Sequence, residues 1–176
     1  MNSLPSLASP YFDDYRANNS ARFPDLLHQV FPDEISDLTA NDDILDVTVP
    51  PQHDIRTGEP SGEYADQQKY LWLVRQENVL LGPEFGPSGL ATARKRLSHT
   101  NLSGGAEAHA GGELWFKDDC SIVMNGGSSR YEPRSAEELR ALAVGFVTAG
   151  YRVRCAEWNV DLDRPDRIFR GAEPWL

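Results

Sequence analysis

Short apolar runs separated by turn-forming residues predict a sheet built largely from β-hairpins. Residues 69–75 are rich in aromatic and branched side chains, and residues 79–81 follow as a second apolar run after a polar Gln-Glu-Asn connection. Residues 113–116 and 121–124 repeat this arrangement further along the chain. Runs of this length favour strands, and short polar connections favour antiparallel pairing. The pattern therefore predicts two hairpins, and we expect the second to be central in the sheet.

A helical pattern follows the second hairpin. Ser135 stands three residues before Glu138, as in a capping box, and Gly150 is a suitable helix end. Apolar residues recur between these signals at helical spacing, namely Leu139, Leu142, Ala143 and Phe146. This predicts a helix over residues 136–149 that packs on the sheet through its apolar face. Alternating side chains over residues 151–158 predict one further, half-exposed strand.

The patterns in the first 66 residues and in the C-terminal tail are weaker. Residues 1–20 are rich in Ser, Asn, Pro and Asp, and they predict an arm that either docks or frays. Residues 23–31 carry apolar side chains on one helical face. Residues 44–49 show a strand-like alternation of side chains and are followed by two prolines. These segments predict a short helix and an edge strand. Residues 52–66 have the composition of a loop, and residues 161–176 contain enough apolar side chains to dock.

Together these elements predict the α+β class, with a mixed, mostly antiparallel sheet, hairpins and a C-terminal helix packed on the sheet. A length of 176 residues fits one domain, residues 1–176. Within it, residues 94–158 hold the segments that suggest specific chemistry.

Charge and composition narrow the classes of partner. The formal net charge of −10 opposes nonspecific binding to nucleic acid and to anionic membrane surfaces. A small-molecule nucleotide ligand or a basic protein partner is compatible with this charge. Two cysteines, no apolar stretch of about 18 residues and no export signal predict a cytoplasmic protein without a membrane span.

Candidate chemistry concentrates between Arg94 and Tyr131. His99 follows a cluster of three cations and could act as an acid, a base or a neutral hydrogen-bond donor. Glu113 begins an apolar run, where burial and a nearby cation can tune a carboxylate. Glycine pairs flank these residues, at 104–105, 111–112 and 126–127. Such pairs fit a shaped crevice, and they fit equally well tight turns without a ligand.

Other chemistries have less support in the sequence. His99, His109 and Cys120 are spaced too widely for a compact zinc pattern, so no metal site is predicted. Neither cysteine has an adjacent histidine, and no phosphate-binding loop or dinucleotide fingerprint occurs. These absences leave the segment from Arg94 to Tyr131 as the candidate site.

Three segments of this region carry a resemblance to a known family. They are Arg-Leu-Ser-His-Thr-Asn-Leu at 96–102, Gly-Gly-Glu at 111–113 and Ser-Ser-Arg-Tyr-Glu-Pro at 128–133. In this succession the chain resembles a domain found in bacterial toxins and effectors and in plant IQ-motif calmodulin-binding proteins. That domain has been linked to the ADP-ribosyltransferase-like superfamily, so the resemblance implies a pocket for NAD.

The resemblance also implies roles for individual residues. Its candidate catalytic residues are His99, Glu113 and Tyr131, with Glu113 as the polarising carboxylate and Tyr131 stacked on a ring. Its candidate NAD-binding residues are Arg96, Thr100, Asn101, Ser129 and Arg130. One hypothesis is therefore a toxin or effector domain that binds or acts on NAD. The alternative is a noncatalytic acidic binding module, such as an immunity or regulatory protein. Convergence of His99, Glu113 and Tyr131 in one cleft would favour the first.

Overall fold

The computed structural model of the chain describes residues 9–25, 31–47, 69–117, 120–171 and 173–176. Helices and strands are both present, and the fold is of the predicted α+β class. The predicted loop over residues 52–66 lies outside the described residues, as does the middle of the predicted helix at 23–31. That helix is wrong at its described ends, because residues 23–25 are irregular and residue 31 precedes a 3-10 turn.

A six-stranded mixed sheet forms the centre of the molecule. Its strands are β1 (Leu45–Asp46), β2 (Tyr70–Val74), β3 (Val79–Pro83), β4 (Ala110–Phe116), β5 (Ser121–Asn125) and β6 (Arg152–Cys155), in the order β1-β3-β2-β4-β5-β6. Neighbouring strands are antiparallel except β5 and β6, which run parallel. Both hairpins are confirmed, the second hairpin includes the central strand β4, and β1 lies at an edge as expected.

The remaining elements are short except for one helix. The helices are α1 (Asp13–Asn18), α2 (Pro87–Ala91), α3 (His99–Ser103) and α4 (Ala136–Thr148), with 3-10 turns at Ser9–Phe12 and Pro32–Ile35. The predicted C-terminal helix is confirmed as α4, and the Ser135 hydroxyl accepts a hydrogen bond from the Glu138 amide. The strand predicted over 151–158 ends earlier, at Cys155. Trp158–Asn159 instead forms β7, which pairs with β8 (Arg164–Pro165).

The sheet is buried on both faces. Strand β2 shows this directly, because Trp72 and Val74 join one core while Leu71 and Leu73 join another. The principal core contains α4 residues, including Leu142 and Phe146. The second core packs α3 against the opposite face through side chains such as Leu102. Strand residues are therefore almost continuously buried, and alternate residues of β2 and β4 face α3.

Both termini of the described chain dock on this sheet. Phe12 packs edge-to-face on Phe146 of α4, with the ring centroids 5.2 Å apart. Tyr15 donates from its hydroxyl to Glu138 over 2.7 Å. At the other end, Phe169 packs on Trp115 at 5.8 Å, and Trp175 lies under the Arg152 guanidinium at 4.5 Å. The described part of the predicted arm therefore docks, as does the tail, and residues of the arm form α1. Among the described residues, no helix has the length and apolar character needed to cross a membrane.

Candidate functional site

A polar cavity of about 200 Å³ lies on the face of the sheet that α3 covers. Strands β2 and β4 form its floor, and α3 with the segments around it forms its walls. Its lining residues are Glu34, Lys69, Leu71, Glu84, Arg94, Arg96, Leu97, Ser98, His99, Glu113, Gly127, Ser128, Ser129, Arg130 and Arg167. Charged and hydroxyl side chains dominate this set, so the cavity suits a polar ligand better than an apolar one.

The glycine pair at the start of β4 lets large rings approach the strand on both faces. A Cβ on Gly111 would lie 2.7 Å from the Cδ2 atom of His99, and a Cβ on Gly112 would lie 2.5 Å from the Trp72 ring. Contacts this short exclude any side chain at either position without local movement. Gly111 therefore seats His99 against the strand, and Glu113 lies two residues further along on the same face.

His99 is held as a neutral imidazole. Its Nε2–H donates to the carbonyl oxygen of Gly112 over 2.8 Å, and a carbonyl can only accept. Burial lowers the pKa of His99 from 6.5 to about 4, although the Gly112 contact and Glu113 favour the proton. At neutral pH His99 is therefore a fixed hydrogen-bonding group on the cavity wall and carries no charge.

Glu113 belongs to a buried ion cluster. Lys69 places its Nζ atom 3.1 Å from one oxygen of Glu113 and 2.8 Å from an oxygen of Glu84. Asn125 donates to the second Glu113 oxygen over 3.0 Å. Burial lowers the pKa of Lys69, but the two carboxylates outweigh this effect and raise it above its usual value. Burial raises the pKa of Glu84 despite its contact with Lys69.

A second ion cluster forms the opposite wall. Arg130 donates to both oxygens of Glu34 at 3.1 Å and to the carbonyl of Asp25 at 2.7 Å. Arg94 contacts Glu34 at 3.3 Å and Asp33 at 3.0 Å. The two arginines thus hold the Pro32–Ile35 turn against the cavity. Both arginines are therefore paired with carboxylates, which balance their positive charges.

Two further cations, Arg96 and Arg167, line the cavity. Arg96 is exposed and Arg167 is half-buried, and within the described part of the chain neither forms a salt bridge. Arg167 lies over Gly127, where its Nε atom is 2.9 Å from the position that a Cβ would occupy. A side chain at residue 127 would displace the guanidinium, so this glycine gives Arg167 its place in the cavity.

The structure brings together five of the eight residues predicted for the site, and these are His99, Glu113, Arg96, Ser129 and Arg130. Thr100, Asn101 and Tyr131 lie outside the lining. The expectation that Tyr131 would share a cleft with His99 and Glu113 does not agree with the structure, because Tyr131 is fully buried in the second core. Its hydroxyl bonds to the Ser103 hydroxyl and to the Ala106 carbonyl, both at 2.7 Å.

Thr100 and Asn101 are fully buried as well, which removes them from contact with a ligand. Asn101 donates to the carbonyl of Asp33 over 2.6 Å and to that of Ser36 over 3.0 Å. Its side-chain oxygen accepts from the Ser98 amide over 2.9 Å. Asn101 therefore joins α3 to the Pro32–Ile35 turn and has a structural role.

Sequence reasoning missed four charged residues of the cavity, namely Glu34, Lys69, Glu84 and Arg167. Each lies in a different segment of the chain and carries no local motif. Arg167 lies in the C-terminal tail, where no pattern indicates a site. Lys69 precedes β2 and resembles an ordinary cation at a strand end. The one available sign was that Lys69 and Glu84 are polar residues beside strand ends, and this is common to many solvent-exposed residues.

No group of three or more His, Cys, Asp and Glu suited to a metal ion occurs among the described residues. The cavity walls carry a neutral imidazole, a lysine-paired carboxylate and several arginines. Comparison of the chain with protein-family models, curated proteins and solved structures found no match.

Proposed function

We propose that this cavity binds the anionic group of a small phosphate-bearing molecule, a nucleotide, with NAD as the first candidate. The observation that carries the proposal is the pair Arg96 and Arg167. Both guanidinium groups line the cavity, and neither has a salt bridge within the described residues. Guanidinium groups bind phosphate oxygens through paired, charge-assisted hydrogen bonds.

The charge of the cavity supports the same conclusion. Its lining holds five cations and three carboxylates, although the whole chain has a net charge of −10. An anion is therefore attracted locally to a protein that repels it elsewhere. Ser129 adds an exposed side chain on the same wall. The family resemblance of the segments 96–102, 111–113 and 128–133 supports a nucleotide over a simple anion.

The size of the cavity limits what it can enclose. A volume of about 200 Å³ is below the roughly 300–1,000 Å³ of sites that enclose whole drug-sized ligands. The cavity therefore accommodates a phosphate and its neighbouring group, and the rest of a nucleotide would extend beyond it.

The experiment compares two cavity variants with a matched control. Isothermal titration with NAD and with AMP should give saturable binding, and either ligand should raise the melting temperature by mass action. Arg96→Gln and Arg167→Gln should each weaken binding by about tenfold or more, because hydrogen bonds to charged groups contribute about 1.5–3 kcal/mol. Arg140→Gln removes an exposed arginine of α4 outside the cavity and should leave affinity unchanged. Equal loss in all three variants, or no binding at millimolar ligand, would refute the proposal.

A second candidate function is ADP-ribosyl transfer by a toxin or effector domain, favoured by the presence of Glu113 and His99 in one cavity. Glu113 would stabilise the positive charge that develops on the ribose as its bond to nicotinamide breaks and a bond to water or to an acceptor nucleophile forms. Glu113→Gln keeps the shape of the side chain and should keep NAD binding while abolishing nicotinamide release. Equal nicotinamide release by the wild type and the variant would exclude this role of Glu113.

A further inference from the structure

A second cavity, of about 560 Å³, adjoins the first across the segment 128–130. Ser128, Ser129 and Arg130 line both cavities, so this segment forms a shared wall. The other lining residues of the second cavity are Arg22, Phe23, Asp25, Glu132, Arg134, Leu162, Asp163 and Arg164. The Asp25 amide donates to the Arg130 carbonyl over 2.8 Å, which fixes the Phe23 segment beside the shared wall.

The two cavities differ in chemistry. The second cavity exposes two large apolar side chains, Phe23 at 70% and Leu162 at 67%. Three of its arginines already have carboxylate partners, since Arg164 contacts Glu132 at 2.8 Å, Arg134 contacts Glu138 at 3.3 Å and Arg130 contacts Glu34 at 3.1 Å. Paired guanidinium groups attract an additional anion less strongly, but their flat faces can still stack on a ring. The second cavity therefore favours a flat, partly apolar group.

We infer that one ligand occupies both cavities, with its phosphate in the first and an aromatic base in the second. This inference rests on the proposed function and adds that the base is recognised. Ser129 is exposed and lines both cavities, so a ligand that spans them would pass over its side chain. Bases stack on aromatic side chains with little dependence on base identity, so Phe23 would select nucleotides as a class.

The test uses AMP and ribose 5-phosphate, which share the sugar and the phosphate and differ by the base. The wild type should bind AMP about five- to 150-fold more tightly than ribose 5-phosphate, as expected for one stacked base. Phe23→Ala should remove most of that difference and leave the affinity for ribose 5-phosphate unchanged. Val144→Ala serves as the matched control, because Val144 is a half-exposed aliphatic residue of α4 outside both cavities.

The outcomes separate this inference from the proposal on which it rests. If ribose 5-phosphate and AMP bind equally well to the wild type, or if Phe23→Ala keeps the full preference for AMP, the second cavity does not hold the base. Phosphate binding in the first cavity would then stand. If neither compound binds, both statements fail. A retained far-UV circular dichroism spectrum for Phe23→Ala shows that the variant is folded before its affinities are compared.

Discussion

The buried imidazole of His99 makes stability depend on pH through an effect that one substitution removes. His99 donates to the Gly112 carbonyl over 2.8 Å, and burial lowers its pKa from 6.5 to about 4. The folded protein therefore keeps His99 neutral at pH values where the unfolded chain binds a proton there. Gln at position 99 keeps a neutral N–H donor and removes the titration, so His99→Gln isolates the contribution of this group.

The magnitude follows from the two pKa values. The folded pKa of His99 is the lower one. The contribution of His99 to the free energy of unfolding therefore has its full value above about pH 6.5 and decreases as the pH falls toward about 4. One pKa unit corresponds to about 1.4 kcal/mol, so acidification from about pH 7 to about pH 4 lowers the free energy of unfolding by about 3 kcal/mol through His99. The raised pKa of Glu84 acts in the opposite direction over part of this range. Both proteins contain Glu84, so its effect cancels in the comparison.

Urea unfolding provides the measurement. The buried indoles of Trp72 and Trp115 report unfolding by fluorescence, and curves collected between about pH 7 and about pH 4 give the free energy at each pH. The wild type should lose about 3 kcal/mol more than His99→Gln over this range. Parallel pH profiles for the two proteins would show that the folded state does not hold His99 neutral. An imidazole titration by NMR, with a midpoint close to that of an exposed histidine, would refute the reasoning independently.

Three further substitutions test the packing around the sheet. Leu142→Ala should lower the free energy of unfolding by about 2–5 kcal/mol, because the side chain is fully buried in the principal core, and the urea midpoint checks this. Gly112→Ala should cost about 1–3 kcal/mol or more, since the added Cβ would lie 2.1 Å from the Asn125 carbonyl oxygen, and calorimetry measures the fall in melting temperature. Tyr131→Phe removes the hydroxyl that contacts Ser103 and should cost about 1–3 kcal/mol, with AMP affinity unchanged in isothermal titration.

Several elements could be predicted from the sequence because their signals are local. The hairpin of β2 and β3 has a polar connection between two apolar runs, and α4 has a Ser135 cap followed by apolar residues at helical spacing. Neighbouring residues alone carry these signals, and the fold satisfies them without rearrangement. The sequence also predicted that β1 lies at the edge of the sheet, since the prolines that follow it have no backbone N–H to donate to a neighbouring strand.

Other elements depend on contacts with distant segments. Helix α3 has only five residues, too few to be stable alone. It is held by Asn101, which joins it to the Pro32–Ile35 turn, and by Leu102, which is buried in the second core. Likewise α1 is held by the hydrogen bond from the Tyr15 hydroxyl to Glu138, a residue far away in the sequence. Local signals such as the Ser98 and Asn101 contact at the start of α3 are too weak to predict such helices, because their stability comes from tertiary packing.

The sequence by itself determined the α+β class, the two hairpins, α4 and the stretch of chain in which His99 and Glu113 lie. Tertiary structure alone decided which side chains meet. It placed Tyr131 in a core, because a tyrosine beside glycines and serines carries no sign of whether its ring faces a ligand or an interior. It also brought Lys69 and Arg167 to the same cavity as His99. Residues so far apart in the chain become neighbours only through strand pairing and the docking of the tail, and long-range contacts of this kind leave no periodic trace in the sequence.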